Sequence, residues 1–482
     1  MNSIGHDLLI AVGAMVAVAV LLAGFGRASA KMRTARDVPR KIAHGLCGVV
    51  IAVATYQLTS LAVAIAVLAS TAVVLVVAVE RHLIPDILDG SRIRDYGYVG
   101  FALGLVVAAA LFWPDRHAIA CGALTLGLAD SGAALVGSRF GRHRVTAGGV
   151  QRSLEGSVTF ATIAAPIAFA FMLLGYHASL PVALAVAVFV GVTTASIELL
   201  VPPAADNLLI TPWVALLLDL GRNLDSGTAL RWLIAAVIAY AATPVLVRLR
   251  WLDLPGAIAA ALVTAAAIGL GGWTWLAPVA AFFVLSSIIT ALHRDEHGAS
   301  MRGLPQVMVN GVAPVLLPVV GYALTKSPVW FFVYVGGIAA SNADTWASEI
   351  GRFSPRPPVS LRTRTRVPPG TSGAVSTLGF AATSLGGAAI GVVGALVENP
   401  ALIVVGLAAG IAGSLADSVL GATVQGRFRC PSCHRPVEDR RHCGVQTAQA
   451  TGIRWVDNEV VNALANATGM VVALSLFVLV SA

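Results

Sequence analysis

An all-α protein that crosses a lipid bilayer many times is what this sequence predicts. Apolar runs near 20 residues recur along the whole chain, long enough to span a hydrocarbon core about 30 Å thick. Hydrophobic residues make up 57% and charged residues 12% of the 482, against roughly 25% charged in an ordinary globular protein. The charges also collect in short segments between the apolar runs. Together these give a polytopic transmembrane helical bundle of roughly fourteen to sixteen spans.

The first apolar run covers 8–25, and Ala28-Ser29-Ala30 after it resembles a signal cleavage site. No Lys or Arg precedes the run, whereas Arg27, Lys31, Arg33, Arg36, Arg40 and Lys41 follow it. That polarity favours an uncleaved first span with its N-terminus outside over a removed signal peptide. Basic segments then fall at 27–41, 81–94, 139–152, 248–250, 294–302, 352–366 and 427–441. Each successive pair encloses room for an even number of spans, so all of them are expected on the cytoplasmic side. Arg222 and Arg231 are left on the other side. The net charge of +8 follows from this positive-inside pattern and does not call for a nucleic-acid partner. Only Lys31, Lys41 and Lys326 among the 32 basic residues are lysines. Arginine offers a planar fork suited to phosphate, and arginine-rich codon usage gives the same bias.

Polar clusters fall mostly at the ends of spans that the count places inside. They are Arg40-Lys41 with His44, Asp130-Ser131, 153–156, Glu198 with Asp206-Asn207, Asn310-Gly311, 341–349, 370–376, Asp417-Ser418 and 458–462. Ionisable groups at membrane depth are costly and mark candidate sites, while polar residues that only tie helices together are the plainer explanation. Leu128-Ala129-Asp130-Ser131 and Leu415-Ala416-Asp417-Ser418 repeat one tetrapeptide, each ending a span before a basic loop. Two tandem membrane domains, 1–225 and 226–482, are the simplest division.

No phosphate-binding G-x-x-x-x-G-K-[S/T] loop, protein-kinase signature or G-x-S-x-G elbow occurs. What recurs is carboxylate, amide, small residue and arginine. Nucleotide phosphoryl transfer needs Mg²⁺ on one or two carboxylates, N–H groups and arginines for phosphate oxygens, and a group to orient the attacking hydroxyl. Asp130, Gly132, Gly137, Arg139, Gly141, Arg142 and Arg144 supply such parts, and Ser153-Leu154-Glu155-Gly156 opens the next helix, whose N–H groups favour an anion. In the second half, Asp344 and Ser348 share a helix face, and so would Asp417 and Gln425 at a spacing of two turns.

The first half resembles the CTP-dependent membrane lipid-alcohol kinases, such as phytol kinase and dolichol kinase. The resemblance rests on Arg40-Lys41-Ile42-Ala43-His44, on Ala129-Asp130-Ser131 through Gly137 with Arg139-Phe140-Gly141, on Ser153-Leu154-Glu155-Gly156-Ser157, and on Glu198 with Asp206-Asn207-Leu208. Arg152 stands where that family often has lysine. The second half resembles a membrane family whose plant members are phytyl-phosphate kinases. There the features are Arg302, Gln306, Asn310-Gly311, the run 341–351, Gly370 to Ser376, Asp417-Ser418, Gly421-Ala422, Gln425 and 458–462, with Glu459 where aspartate is usual.

These resemblances imply catalytic roles for Asp130, Glu155, Asp344 and Asp417. They imply nucleotide or phosphate contacts from Arg40, Lys41, His44, Ser131, Arg139, Arg152, Ser153, Gly156, Asn310, Thr371, Ser376 and Gln425. Mg²⁺ would be held by Asp130, Glu198, Asp206 and Asn207 in one half, and by Asn342, Asp344, Glu349, Asp417, Asn458, Glu459 and Asn462 in the other. Cys430, Cys433 and Cys443 with His442, in a loop at 427–444, have spacing that suits either structural Zn²⁺ or unligated thiols.

The function so implied is a bifunctional membrane kinase. It would convert a long-chain isoprenoid alcohol to its monophosphate and then its diphosphate, using CTP or another nucleoside triphosphate on the cytoplasmic face. A lipid-phosphate cytidylyltransferase in the first half, or a lipid-phosphate transporter or scaffold, are the other readings.

Overall fold

The structure, a computed structural model, describes residues 3–31, 37–81, 96–292, 302–438 and 440–481. Most of the expected basic segments 81–94 and 294–302 lies outside them, as does the side chain of Arg40. The chain is all-α, with helices α1 Ser3–Lys31, α2 Asp37–Gln57, α3 Leu61–Glu80, α4 Gly97–Phe112 and α5 Arg116–Phe140. A hairpin of β1 Arg144–Ala147 and β2 Val150–Ser153 leads to α6 Leu154–Gly175, α7 Leu180–Leu200, α8 Ala205–Gly221 and α9 Ser226–Arg248. Then come α10 Leu254–Gly271, α11 Leu276–Leu292, α12 Leu304–Thr325, α13 Val329–Gly351, α14 Thr377–Val397, α15 Leu402–Thr423 and α16 Asn458–Ser481.

Among the described residues, 11 helices are long and apolar enough to cross a membrane, and Leu61–Val77 and Gly97–Phe112 are shorter apolar ones. The others, α2, α8 and α13, carry Lys41, Asp206 and Asp344. Helices suit this setting because each satisfies its own backbone hydrogen bonds where no water is present. Large apolar side chains such as Leu174, Leu396 and Leu479 are exposed, as lipid-facing residues should be. Side-chain caps mark several starts: Asp115 for α5, Ser153 for α6, Asp253 for α10 and Ser376 for α14 each accept an N–H three residues on.

Two compact units divide the chain, residues 1–238 and 239–482. The division falls inside α9, not at the expected 225. The reason is packing: Trp232, 1% exposed, lies against Phe189 with ring centroids 4.8 Å apart, which ties the first half of α9 to unit 1.

In unit 1, α2 and α5 meet through glycine. A Cβ on Gly127 would sit 2.8 Å from the Gly48 Cα, so only hydrogen at both positions lets the backbones approach this closely. In unit 2, Gly387 and Gly406 do the same for α14 and α15. Unit 2 also carries small strands in its loops. They are β3 Val359–Ser360 with β4 Ala374–Val375, a three-stranded β6–β5–β9 sheet (Pro436–Val437, Arg427–Arg429, Ala448–Thr451), and β7 Arg441–His442 with β8 Val445–Gln446.

Candidate functional site

Unit 1 gathers a network of charges at one end of its helices. Lys41, one turn into α2, donates from Nζ to Asp130 Oδ2 on α5 at 2.9 Å, and His44 Nε2 lies 3.7 Å from the same oxygen. Arg152 closes the β1–β2 hairpin and forks: Nη2 donates to Asp206 Oδ2 at 2.6 Å, and Nη1 lies 3.5 Å from Glu198 Oε1. Ser157 Oγ holds the other Glu198 oxygen at 3.1 Å. The Arg152 charge also acts on Asp130, which joins these pairs into one network. Side-chain exposure runs only from 6% at Asp206 to 22% at Lys41, so the groups compensate one another within a largely dry setting. Ser131 Oγ is buried there with no hydrogen-bond partner among the described residues.

The hairpin turn makes this possible. Gly148 and Gly149 take left-handed φ values of 56° and 78°, which reverses the chain tightly enough to return Arg152 and Ser153 to the end of α5. Ser153 then caps α6, and Gly137, Gly141 and Gly156 pack around its hydroxyl.

Other expected members of this cluster bond differently. Glu155 accepts from His143, at 2.7 Å from Nδ1 and 3.1 Å from the backbone N–H, so it secures the loop beside the cluster. Asn207 Nδ2 donates to the Gly97 carbonyl at 3.0 Å and ties α8 to α4. Arg139 is exposed, its guanidinium 5.6 Å from the Phe140 ring centre.

The far end of unit 1 holds a second polar group. Asp115 accepts from Tyr176 Oη at 2.7 Å and from Arg222 Nη1 at 3.2 Å, and Arg222 also pairs with Asp219 at 2.8 Å. These line a cavity of about 750 Å³ with Tyr56, Arg116 and His117. Arg222, left on the other side by the sequence count, is thus neutralised by two carboxylates where it stands.

In unit 2 the carboxyl groups of Asp344, on α13, and Asp417, on α15, come within hydrogen-bonding reach of each other. Asp417 Oδ1 is buried without a hydrogen-bond partner among the described residues. Two ionised carboxylates this close repel each other, and a bound cation would relieve the repulsion. Amides pack beneath them. Asn342, fully buried, accepts from Ser286 at 3.0 Å and donates to the Gly386 carbonyl at 2.8 Å, so both its polar atoms are used in holding helices together. Asn310 lies in a π-turn, Met308–Val312, and its Oδ1 accepts from Asn466, which also accepts from Ser341.

Arg302 donates to the Ser286 carbonyl and to Thr290 Oγ1, and it interacts electrostatically with Glu349. Thr371 Oγ1 bonds the Pro368 carbonyl at 2.7 Å, and Ser376 caps α14. Asn458 is exposed at the start of α16, with Glu459 and Asn462 half-buried behind it.

One expectation is corrected. Gln425 does not share a helix face with Asp417, because α15 ends at Thr423 and Gln425 pairs instead with Ile453 across an isolated bridge. Its side chain turns to Glu438, donating to Oε2 at 3.3 Å. Glu438 also accepts from Ser372 Oγ at 2.6 Å, and its charge acts on Asp417. Arg427 fastens the same segment by donating to the carbonyls of Ser372 and Gly421.

Glu438 and Asn466 escaped the sequence reading. Glu438 is hidden in a loop whose cysteines drew attention to themselves. Asn466 lies one helical turn beyond Asn462, so the i, i+4 spacing of the last helix was the available signal.

The cysteine loop does bring its four expected residues together. Cys430 Sγ, Cys433 Sγ, a His442 ring nitrogen and Cys443 Sγ all lie within 4.8 Å of one another. The Cys433 amide N–H holds the Cys430 thiol down to about 6, whereas hydrogen bonding to Cys433 raises the Cys443 thiol.

Long apolar helices, lipid-facing side chains and buried polar clusters at helix ends define a polytopic integral membrane protein. Residues 234–470, nearly all of unit 2, match the family described as integral membrane protein DUF92, and the chain belongs to that family. An uncharacterized membrane protein of Methanocaldococcus jannaschii is 31% identical over 202 residues, 40% of this chain and 84% of its own length. Protein PGR of Arabidopsis thaliana is 31% identical over 246 residues, 44% of this chain and 84% of its own. An uncharacterized membrane protein of Synechocystis sp. is 28% identical over 219 residues, 42% of this chain and 74% of its own. No solved structure matches the chain.

Proposed function

We propose that the chain is a two-step membrane kinase acting from the cytoplasmic face. Unit 1 phosphorylates a long-chain isoprenoid alcohol from CTP or another nucleoside triphosphate, and unit 2 phosphorylates the resulting monophosphate. The observation that supports this reading is the convergence, at one end of unit 1, of Lys41, His44 and Arg152 on the carboxylates of Asp130, Glu198 and Asp206.

Such a cluster has the parts for holding a polyphosphate beside a lipid hydroxyl. Lys41 and Arg152 bind phosphate oxygens by exchanging carboxylate partners for them, and the N–H groups opening α6 add fixed donors. Among the described residues, Asp130 accepts the Lys41 hydrogen bond through Oδ2, with His44 3.7 Å from the same atom, and its Oδ1 is a hard oxygen donor suited to Mg²⁺. The neighbouring carboxyls of Asp344 and Asp417, with one buried oxygen unpartnered among the described residues, also suit a divalent cation. When bound, Mg²⁺ would neutralise charge on the transferring phosphoryl group. Meanwhile the prenyl tail stays in lipid, so only the hydroxyl need reach the interface.

The decisive assay incubates purified protein with labelled CTP or ATP and a panel of prenyl alcohols, then resolves mono- from diphosphates. Asp130→Asn should abolish the first step and leave the second intact when monophosphate is supplied. Asp344→Asn or Asp417→Asn should let monophosphate accumulate. Unchanged diphosphate yield in all three variants would remove these carboxylates from catalysis.

A further inference from the structure

We propose that the 427–451 loop binds one Zn²⁺ through Cys430, Cys433, His442 and Cys443, and that this ion fixes Glu438 as a positioning residue of the Asp344–Asp417 site. The second clause rests on that carboxylate pair being the second phosphoryl-transfer site.

The geometry of the four donors is that of a tetrahedral metal site. With Zn–S near 2.3 Å and Zn–N near 2.0 Å, tetrahedral ligands stand about 3.5–3.8 Å apart. His442 Nδ1 lies 3.4 Å from Cys433 Sγ and 3.2 Å from Cys443 Sγ, and all four donors fall within 4.8 Å. Two tight turns deliver them. In the first, Cys430 N–H donates to the Arg435 carbonyl and His434 N–H to the Cys430 carbonyl, at 3.0 and 2.9 Å. In the second, between β7 and β8, Cys443 and Gly444 take φ values of 52° and 75°.

The loop has little else to hold it. Among the described residues of 427–451, only Phe428 and Cys430 are buried. A segment that small lacks a core of its own, and metal binding is then the main source of its folding free energy.

Glu438 sits between the two ligand pairs, directly after β6, so a metal that clamps both turns also fixes the backbone that carries it. Its contacts leave the loop entirely: Ser372 Oγ at 2.6 Å, and Gln425 Nε2 just past the end of α15 at 3.3 Å. It thereby ties the zinc turns to the segment before α14 and orders the rim of the carboxylate pair. Groups that orient a site from behind its metal or substrate ligands typically change affinity or rate by about 10–100-fold when removed.

The test uses the full chain in detergent or lipid, with three readouts. Zinc content by mass spectrometry should be about one per chain, and both Cys430→Ser and Cys433→Ser should lose nearly all of it. Hydrogen exchange should quicken at 369–376 and 436–438 when a chelator strips wild-type protein, while 141–153 stays as before. Glu438→Gln should keep its zinc, lose about tenfold or more in kcat for the second step with little change in KM, and recover in part as Glu438→Asp.

Wild-type protein without zinc, or with zinc that both cysteine variants retain, would overturn the metal site. Full zinc whose removal leaves exchange at 369–376 unchanged, or normal kcat in Glu438→Gln, would overturn the coupling. If no donor yields diphosphate at all, the kinase reading fails, while zinc content and exchange still decide the rest of the proposal.

Discussion

Arg152 shows what a single side chain holds in place. It meets Glu198 and Asp206 at once, and all three are largely removed from water. Breaking a buried ion pair by removing one partner typically costs about 3–5 kcal/mol, because the remaining charge is left uncompensated. Arg152→Ala should therefore lower thermal stability in detergent markedly, and Arg152→Ala combined with Glu198→Gln and Asp206→Asn should restore much of it. A triple variant no more stable than the single one would show that lost packing, not stranded charge, dominates. The sequence made most of these residues visible, since an acid or a base in an apolar span stands out. It did not reveal their partners. That Glu155 turns to His143, or that Asn342 is consumed by Ser286 and Gly386, depends on helix rotation and on backbone carbonyls that no side-chain motif encodes.

Among the elements, the glycine seam between α2 and α5 sets the distance from Lys41 to Asp130. Gly127→Val would drive a side chain into the Gly48 backbone, and overpacking of this kind costs about 1–3 kcal/mol. The expected result is a lower melting temperature together with a weaker first step, whereas the second step, assayed on supplied monophosphate, should persist. The start of α14 gives a milder case, in which Ser376→Ala should cost about 1 kcal/mol through the lost cap. Helix identities were readable from length and apolarity, and several starts from their caps. Helix ends were less so. Nothing in the run from Asp417 to Gln425 announces a stop at Thr423, because the chain is turned there by pairing between Gln425 and Ile453, remote in sequence. The boundary inside α9 was hidden likewise, for it depends on where the Trp232 ring packs.

At the scale of the molecule, the two ends of unit 1 carry different chemistry: a network of basic groups and carboxylates around Asp130, and the cavity where Asp115 meets Tyr176 and Arg222. Since α5 runs from one to the other, a cysteine placed at His117 and another placed at His143 should react with an impermeant thiol reagent from opposite sides of a sealed vesicle. Labelling of both from one side would mean that α5 does not span the bilayer. The all-α membrane architecture was legible because a bilayer imposes length and polarity directly on sequence, whereas the packing within each unit is written in contacts between residues distant in sequence. The π-turn at Met308–Val312 adds a last point. It accommodates one residue more than an α-helical path would, and one residue corresponds to about 100° of rotation. Deleting Val309 would let α12 relax to ordinary winding with its two ends still in phase, and the re-spaced residues of the turn would carry the Asn310 amide away from Asn466. A single codon therefore aims one amide of this chain while the rest of the helix keeps its register.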